Sequence, residues 1–239
     1  MNQDVALLMK IIHESNNIVF FGGAGVSTAS GIPDFRGSEG LYNQVPEEIL
    51  SHDFFFTFPE KFYDFYWSKM VYLSAKPNAC HDFLAFLEKE NKLKAVITQN
   101  IDCLHQQAGS RNVIELHGNV YSYTCTRCPK KYSIDELKLN GVPFCNQCHG
   151  IIKPDVVLYQ EELDFSNLER ALNYISTCEV LIVGGTSLSV YPAAGLINYF
   201  RGKYLIVINK DEIKVKNIKV LYINGNIQDI LNIKNYKNA

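Results

Sequence analysis

The chain has 239 residues, enough for one large domain or one domain carrying an insertion, and at 47% hydrophobic and 20% charged it can bury a substantial core. A net charge of −2 gives no electrostatic footing for nucleic acid, and no apolar run reaches the roughly eighteen residues of a membrane span. The opening MNQDVALLMKII lacks a basic stretch and a small-residue cleavage site, so no secretory leader is expected and the cytoplasm is the predicted compartment.

In chain order, Asp4 to Ile12 has helical apolar spacing. The run Ile18-Val19-Phe20-Phe21 predicts a buried strand, and it leads into GGAGVSTASGIPDFRG at 22–37. Gly23 and Gly25 allow a sharp turn and close approach to a diphosphate, and Val26–Ser30 is expected to open a helix facing it. Thr28 stands where the dinucleotide fingerprint has its third glycine, so spacing alone leaves the loop ambiguous. Pro33-Asp34-Phe35-Arg36 is either a surface turn with one ion pair or a flap over the reactive end of a cofactor. Residues 41–90 are rich in aromatics, among them Phe54, Phe55, Phe62, Phe65 and Tyr66, and predict a small helical module with most rings in its core.

Ala95–Thr98 is the next strand and ends in Gln99-Asn100-Ile101-Asp102, whose polar side chains suit either a helix cap or a ribose and an amide. Val113–Leu116 ends in His117-Gly118, where the glycine is expected to let a substrate approach. Next come Cys125-x2-Cys128-x16-Cys145-x2-Cys148, two knuckles that suit one tetrahedral zinc ion. Four thiolates leave no open position, so the metal is expected to be structural. His149 adjoins the second knuckle but is not needed, and Cys80, Cys103 and Cys178 have no ligand spacing. Strands are predicted at Val156–Leu158, Val180–Val183, Leu205–Ile208 and Val220–Ile223, with helices near Leu168–Ile175 and from Pro192. A second glycine turn, Gly184-Gly185-Thr186-Ser187, and Asn209 follow two of these strands, and the lysines of 210–219 suggest a solvated face. Short β-branched runs alternating with helices imply an α/β fold with a parallel, doubly wound sheet, whose ligand site lies at the carboxyl ends of the strands.

The stretches GAGVSTASGIPDFRG (23–37), TQNIDCLHQQAG (98–109), ELHG (115–118), the cysteine quartet, KPDVVLYQE (153–161), GGTSLSVYPAAGL (184–196) and Asn209 together resemble the sirtuins, NAD-dependent protein-lysine deacylases, in family order across almost the whole chain. The resemblance implies a Rossmann-like large domain (1–32, 93–118 and 151–239) and a small domain made of the helical module (33–92) and the zinc ribbon (119–150). It also implies roles. Gly23, Ala24, Thr28, Phe35 and Arg36 would line the diphosphate and nicotinamide-ribose region. Gln99, Asn100, Ile101 and Asp102 would form the nicotinamide pocket. Gly185, Thr186, Ser187 and Asn209 would hold the adenosine half, with Ile227 against the adenine. Val156, Val157, Tyr159 and Gln160 would pair as a strand with the substrate peptide.

The implied reaction joins the acyl oxygen of a modified lysine to the ribosyl carbon that nicotinamide leaves, and His117 is the base that activates a ribose hydroxyl. Products would be free lysine, nicotinamide (also an inhibitor) and O-acyl-ADP-ribose, from a monomeric enzyme. The chain departs from the family at Cys103, where glycine is common, and at Tyr159-Gln160-Glu161, where Phe-Gly-Glu is frequent. The nearest match to an acidic-acyl-reading Tyr-x-x-Arg is Tyr66-Trp67-Ser68-Lys69, which lacks the guanidinium fork and favours a neutral acyl group such as acetyl. ADP-ribosyl transfer and desuccinylation are the alternatives within the family. A dehydrogenase lacks an evident acidic ribose partner here, and a nucleic-acid zinc ribbon lacks the charge.

Overall fold

The computed structural model describes residues 2–36, 40–43, 46–211 and 220–239. Helix α1 (Gln3–Glu14) starts where the Asn2 side chain accepts the Asp4 N–H at 3.2 Å, and it buries Leu8, Met9, Ile11 and Ile12. Six strands form a parallel sheet: β1 (Ile18–Gly22), β2 (Leu93–Thr98), β3 (Val113–Glu115), β7 (Val180–Gly184), β8 (Tyr204–Asn209) and β9 (Val220–Asn224), in the order β3-β2-β1-β7-β8-β9. The order reverses between β1 and β7, which pair from Ile18↔Val180 to Gly22↔Gly184. Their loops therefore leave the sheet side by side and open a crevice. Both strands are buried along their whole length, which explains why they read as unbroken apolar runs.

One face of the sheet packs on α1, α4 (Ala79–Lys89) and the C-terminal α7 (Ile227–Ile230) and α8 (Ile233–Lys237). The other packs on α6 (Phe165–Thr177) and the 3₁₀ segment Ala193–Tyr199. A separate core joins α2 (His52–Thr57) and α3 (Pro59–Lys69) to a three-stranded antiparallel sheet of β4 (Gly118–Cys125), β5 (Lys131–Ser133) and β6 (Ile152–Val156), ordered β5-β4-β6. Short α5 (Leu104–Gln107) follows β2.

Four local expectations are corrected. Val26–Ser30 is not an α-helix but lies in two 3₁₀ turns, Ala24–Val26 and Thr28–Ser30. The Val26 carbonyl is claimed by the Asn78 side chain at 2.8 Å, and Gly31 turns left-handed at φ +84°. The segment expected as a strand at Val156–Leu158 ends its pairing at Val156, and it belongs to the small antiparallel sheet, where Gly118↔Val156 closes the ladder. Gly118 is explained by that contact: at φ +69°, an added Cβ would strike the Asp155 carbonyl oxygen, so the glycine serves strand packing. Finally, α4 was expected in the helical module, yet its Cys80, Phe83, Leu84 and Leu87 pack into the main core beside Phe20 and Val96. The lysine-rich stretch falls largely at 212–219, outside the described residues.

Candidate active site

The loops after β1, β2 and β7, the loop before β4 and the segment after β6 surround a cavity of about 360 Å³. Lining it are Ala24, Thr28, Phe35, Arg36, Gln99, Asn100, Ile101, His117, Val156, Val157, Tyr159, Gln160, Gly185, Thr186, Ser187, Asn209 and Ile227, the great majority of the residues expected from the sequence. Two expected residues lie elsewhere. Gly23 sits behind the wall: a Cβ there would come within 2.8 Å of the Thr186 Cβ, and one at Gly25 within 2.8 Å of the Gly185 Cα. These glycines let two loops nest. Asp102 lines a smaller side pocket of about 40 Å³, shared with Ala24, Phe35, Asn100 and Ile101.

The side pocket rests on a polar chain that the sequence does not reveal. Ser27 donates to Asp102 Oδ2 at 2.6 Å and accepts from Asn100 Nδ2 at 3.0 Å. Asp102 Oδ1 takes the Leu104 N–H at 2.9 Å, so this carboxylate also satisfies the first N–H of α5. Burial raises its pKa, opposed by these hydrogen bonds. Cys103 between them adopts φ +59°, a left-handed geometry that costs a non-glycine residue about 1 kcal/mol, and its thiol donates to Glu115 Oε1 at 3.2 Å.

His117 follows β3. Its Nδ1 lies 2.9 Å from the Gln99 carbonyl oxygen. A carbonyl only accepts, so Nδ1 carries the proton and Nε2 is left with a lone pair. Burial holds the imidazole below its ordinary pKa, and the Gln99 bond opposes this in part. The ring is thus neutral and basic at Nε2 near pH 7.

The segment after β6 is more constrained than an open strand edge. Val157 N–H donates to the His117 carbonyl at 3.0 Å, Leu158 N–H to Glu161 Oε2 at 2.9 Å, and Tyr159 N–H to the Leu50 carbonyl at 2.9 Å. Lys153 reaches back to the Val156 carbonyl at 2.9 Å and pairs with Glu161 at 3.0 Å. Three consecutive N–H donors are thus engaged within the chain. Tyr66 lines the main cavity, whereas the exposed Lys69, one helical turn on, lines the side pocket. Ser27, Tyr42, Met70, Val190 and Asn226 are wall residues that sequence reasoning missed. Ser27 and Val190 had a local signal, their places inside the glycine loop and the 184–196 stretch.

The four cysteine sulfurs Cys125, Cys128, Cys145 and Cys148 lie within 4.8 Å of one another, with 3.4 Å between Cys125 and Cys148 and 3.6 Å between Cys128 and Cys145. Zinc–sulfur bonds of about 2.3 Å at tetrahedral angles require separations near these, so the set fits a structural zinc ion. The N–H groups of Arg127, Cys128 and Gln147 and the Tyr132 hydroxyl point at the sulfurs. His149 is not among the four.

A family model described as "Sir2 family" matches residues 23–192. The chain belongs to the Sir2 family. A Clostridium perfringens protein named NAD-dependent protein deacetylase is 53% identical over 97% of this chain and 98% of its own length. A solved Sir2 histidine-to-alanine variant with a deacetylated p53 peptide and 3'-O-acetyl ADP ribose is 39% identical, covers 94% of each chain and superposes with a TM-score of 0.87. A Sir2 homologue variant in complex with ADP ribose is 37% identical, covers 100% of this chain and 97% of its own, and has a TM-score of 0.91. In this Sir2-family chain, as in the expectation from its motifs, the glycine loop and the ELHG histidine meet in one cavity.

Proposed function

We propose that this Sir2-family chain is an NAD-dependent protein-lysine deacylase that transfers the acyl group to ADP-ribose and releases nicotinamide. The observation that carries the reading is His117: a neutral imidazole with its tautomer fixed by Gln99, set in the wall of a cavity at the carboxyl edge of a parallel sheet. NAD supplies a ribosyl carbon that becomes electrophilic as nicotinamide departs. Ala24, Thr28, Phe35 and Arg36 would hold the diphosphate side, Gly185, Thr186, Ser187 and Asn209 the adenosine side, and Ile227 the adenine. Gly23 contributes by letting the loops nest. Gln99, Asn100, Ile101 and Asp102 would receive the nicotinamide amide, with Asp102 oriented by Ser27. His117 takes a proton at Nε2 from a ribose hydroxyl and passes it on as the lysine amine leaves. Val156, Val157, Tyr159 and Gln160 flank the acyl-lysine peptide.

The acyl group is read as small and neutral, such as acetyl, because Lys69 lies in the side pocket and Tyr66 and Met70 offer the main cavity bulky walls. Nicotinamide would act as product and inhibitor, and the working unit is a monomer. All seven cysteines are unpaired, which fits a reducing cytoplasm. Among the described residues no helix is long and apolar enough to cross a membrane. The division follows packing: the parallel sheet, with α4, makes the large domain, and α2, α3 and the zinc ribbon make the small one.

The test incubates the zinc-loaded protein with NAD and an acetyl-lysine peptide and weighs the products. Peptide lighter by one acetyl group, with O-acetyl-ADP-ribose formed, is the expected result. A peptide or protein heavier by one ADP-ribosyl group, with the acetyl retained, would replace this reading with ADP-ribosyl transfer.

A further inference from the structure

Tyr159 stands where a phenylalanine is frequent in the resembling family, and its hydroxyl is employed. Arg36 Nη2 donates to the Tyr159 hydroxyl oxygen at 2.9 Å and meets Glu47 Oε1 at the same distance. The Tyr42 hydroxyl lies 3.1 Å from that of Tyr159, and the Arg36 guanidinium stacks over the Tyr42 ring at 5.1 Å. Arg36 is thus held by a carboxylate, a phenol and an aromatic face, in the wall of the main cavity. Tyr159 itself does not swing freely. Its N–H is fixed to the Leu50 carbonyl, and its carbonyl accepts from the His52 N–H at 3.0 Å. The next residue strengthens the anchor: Gln160 Oε1 accepts the Asp53 N–H at 3.0 Å while its Nε2 donates to Asp53 Oδ2 at 3.1 Å. Gln160 holds φ +74°, a geometry natural to glycine, and makes this two-point bond from it.

We propose that the Tyr159 hydroxyl is a positioning group for Arg36, presetting the guanidinium toward the NAD diphosphate and tying the cofactor side of the site to the segment beside the peptide. The proposal rests on the deacylase reading for the identity of the cofactor. A phenylalanine fills the same space but leaves Arg36 held by Glu47 and the Tyr42 ring alone, with one restraint fewer, so more of its side-chain freedom is lost on binding. Tyr159 is therefore a positioning residue acting through Arg36. Its effect belongs in cofactor affinity more than in the rate at saturation.

The experiment compares the zinc-loaded wild type, Tyr159→Phe, Arg36→Met and the double variant. Binding of NAD and of ADP-ribose is measured by calorimetry, and KM for NAD and kcat are measured with acetyl-lysine peptide. Tyr159→Phe should weaken ADP-ribose and NAD roughly three- to tenfold, the worth of one partly exposed hydrogen bond to a charged group, with kcat changed by less. In the Arg36→Met background the same substitution should change affinity less than twofold. Tyr42→Phe, which removes only the neighbouring hydroxyl, should weaken binding less than Tyr159→Phe. Unchanged or tighter binding in Tyr159→Phe, or an equal loss in both backgrounds, would overturn the proposal. Calorimetry separates this from the deacylase reading: wild type that binds ADP-ribose but leaves acetyl-lysine intact defeats the reaction and leaves the positioning role to be judged on affinity alone.

Discussion

Two groups of histidines, His117 on one hand and His81 with His105 on the other, all have their pKa lowered by burial. His117, in the cavity wall, has its pKa lowered by burial. So have His81 on α4 and His105 on α5, whose rings lie 4.7 Å apart and are 0% and 1% exposed. His81 is lowered to about 4 by burial, and His105 falls well below its ordinary value, by burial and then by the neighbouring His81. Their surroundings differ. His117 has one nitrogen fixed by a carbonyl and lies on the cavity. The Asn78 N–H donates to His81 Nδ1, which places the His81 proton on Nε2, where it has no protein partner, and both nitrogens of His105 are likewise without one. A depressed pKa marks burial. Access and a fixed tautomer are what make a base.

The largest expected effect tests that distinction directly. His117→Ala should cut turnover by roughly 10²–10⁴-fold while NAD still binds, the usual worth of a positioned base. His105→Leu should change turnover at neutral pH by far less. Equal kinetic damage from both would mean that the sealed pair belongs to the chemistry.

Stability should report the sealed pair instead. Above about pH 7.5 both histidines are neutral in folded and unfolded chains and contribute almost nothing to the pH dependence. Between there and about pH 4 the unfolded chain binds protons that the folded His81 refuses, so stability falls as pH falls. From His81 alone the loss approaches about 3 kcal/mol by pH 4. Urea melts across this range read it, and His105→Leu should flatten the slope. A flat stability profile from pH 7 to 4 in the wild type would show the pair to be accessible to protons while folded. For turnover, the acid limb should lie below the ordinary histidine value of about 6.5, because His117 must be neutral to accept a proton. A limb centred at pH 7.5 or above would exclude it as the titrating group.

Asp102 sharpens the contrast on the cofactor side. Asp102→Asn should reduce exchange of labelled nicotinamide into NAD in the presence of acyl peptide by roughly tenfold or more, since an amide exchanges an acceptor for a donor facing Ser27. His117→Ala should keep much of that exchange, because it acts after nicotinamide has left. Parallel loss in both variants would erase the division between early and late roles.

The smallest effect is expected at Lys69. It lines the side pocket with Asp102, away from Tyr66, so Lys69→Met should alter the ratio of kcat/KM for acetyl and succinyl peptides by less than about threefold, within the range of an exposed charge. A wild-type preference for succinyl that collapses in this variant would place the ammonium in the acyl site.

Much of this molecule is set by local pattern. The unbroken apolar runs at Ile18–Phe21 and Val180–Val183 read as buried strands and are buried along their length, and the two cysteine knuckles carry their metal in their spacing. The glycine turns and polar residues at strand ends located the cavity, because parallel strands place all such ends on one edge. Tertiary structure alone decided the rest. Ser27 orients Asp102 and Asn100 across 75 and 73 residues of sequence. Gly23, Gly25 and Gly118 lie so close to neighbouring segments that a side chain there would clash, and α4 packs with the sheet because its apolar stripe meets Phe20 and Val96. The strand expected at 156–158 ends at Val156, and the N–H groups of 157, 158 and 159 go to His117, Glu161 and Leu50. Pattern fixes which side chains seek burial and which positions turn. It is silent on which distant donor reaches a given acceptor, because that depends on how separate elements pack in three dimensions.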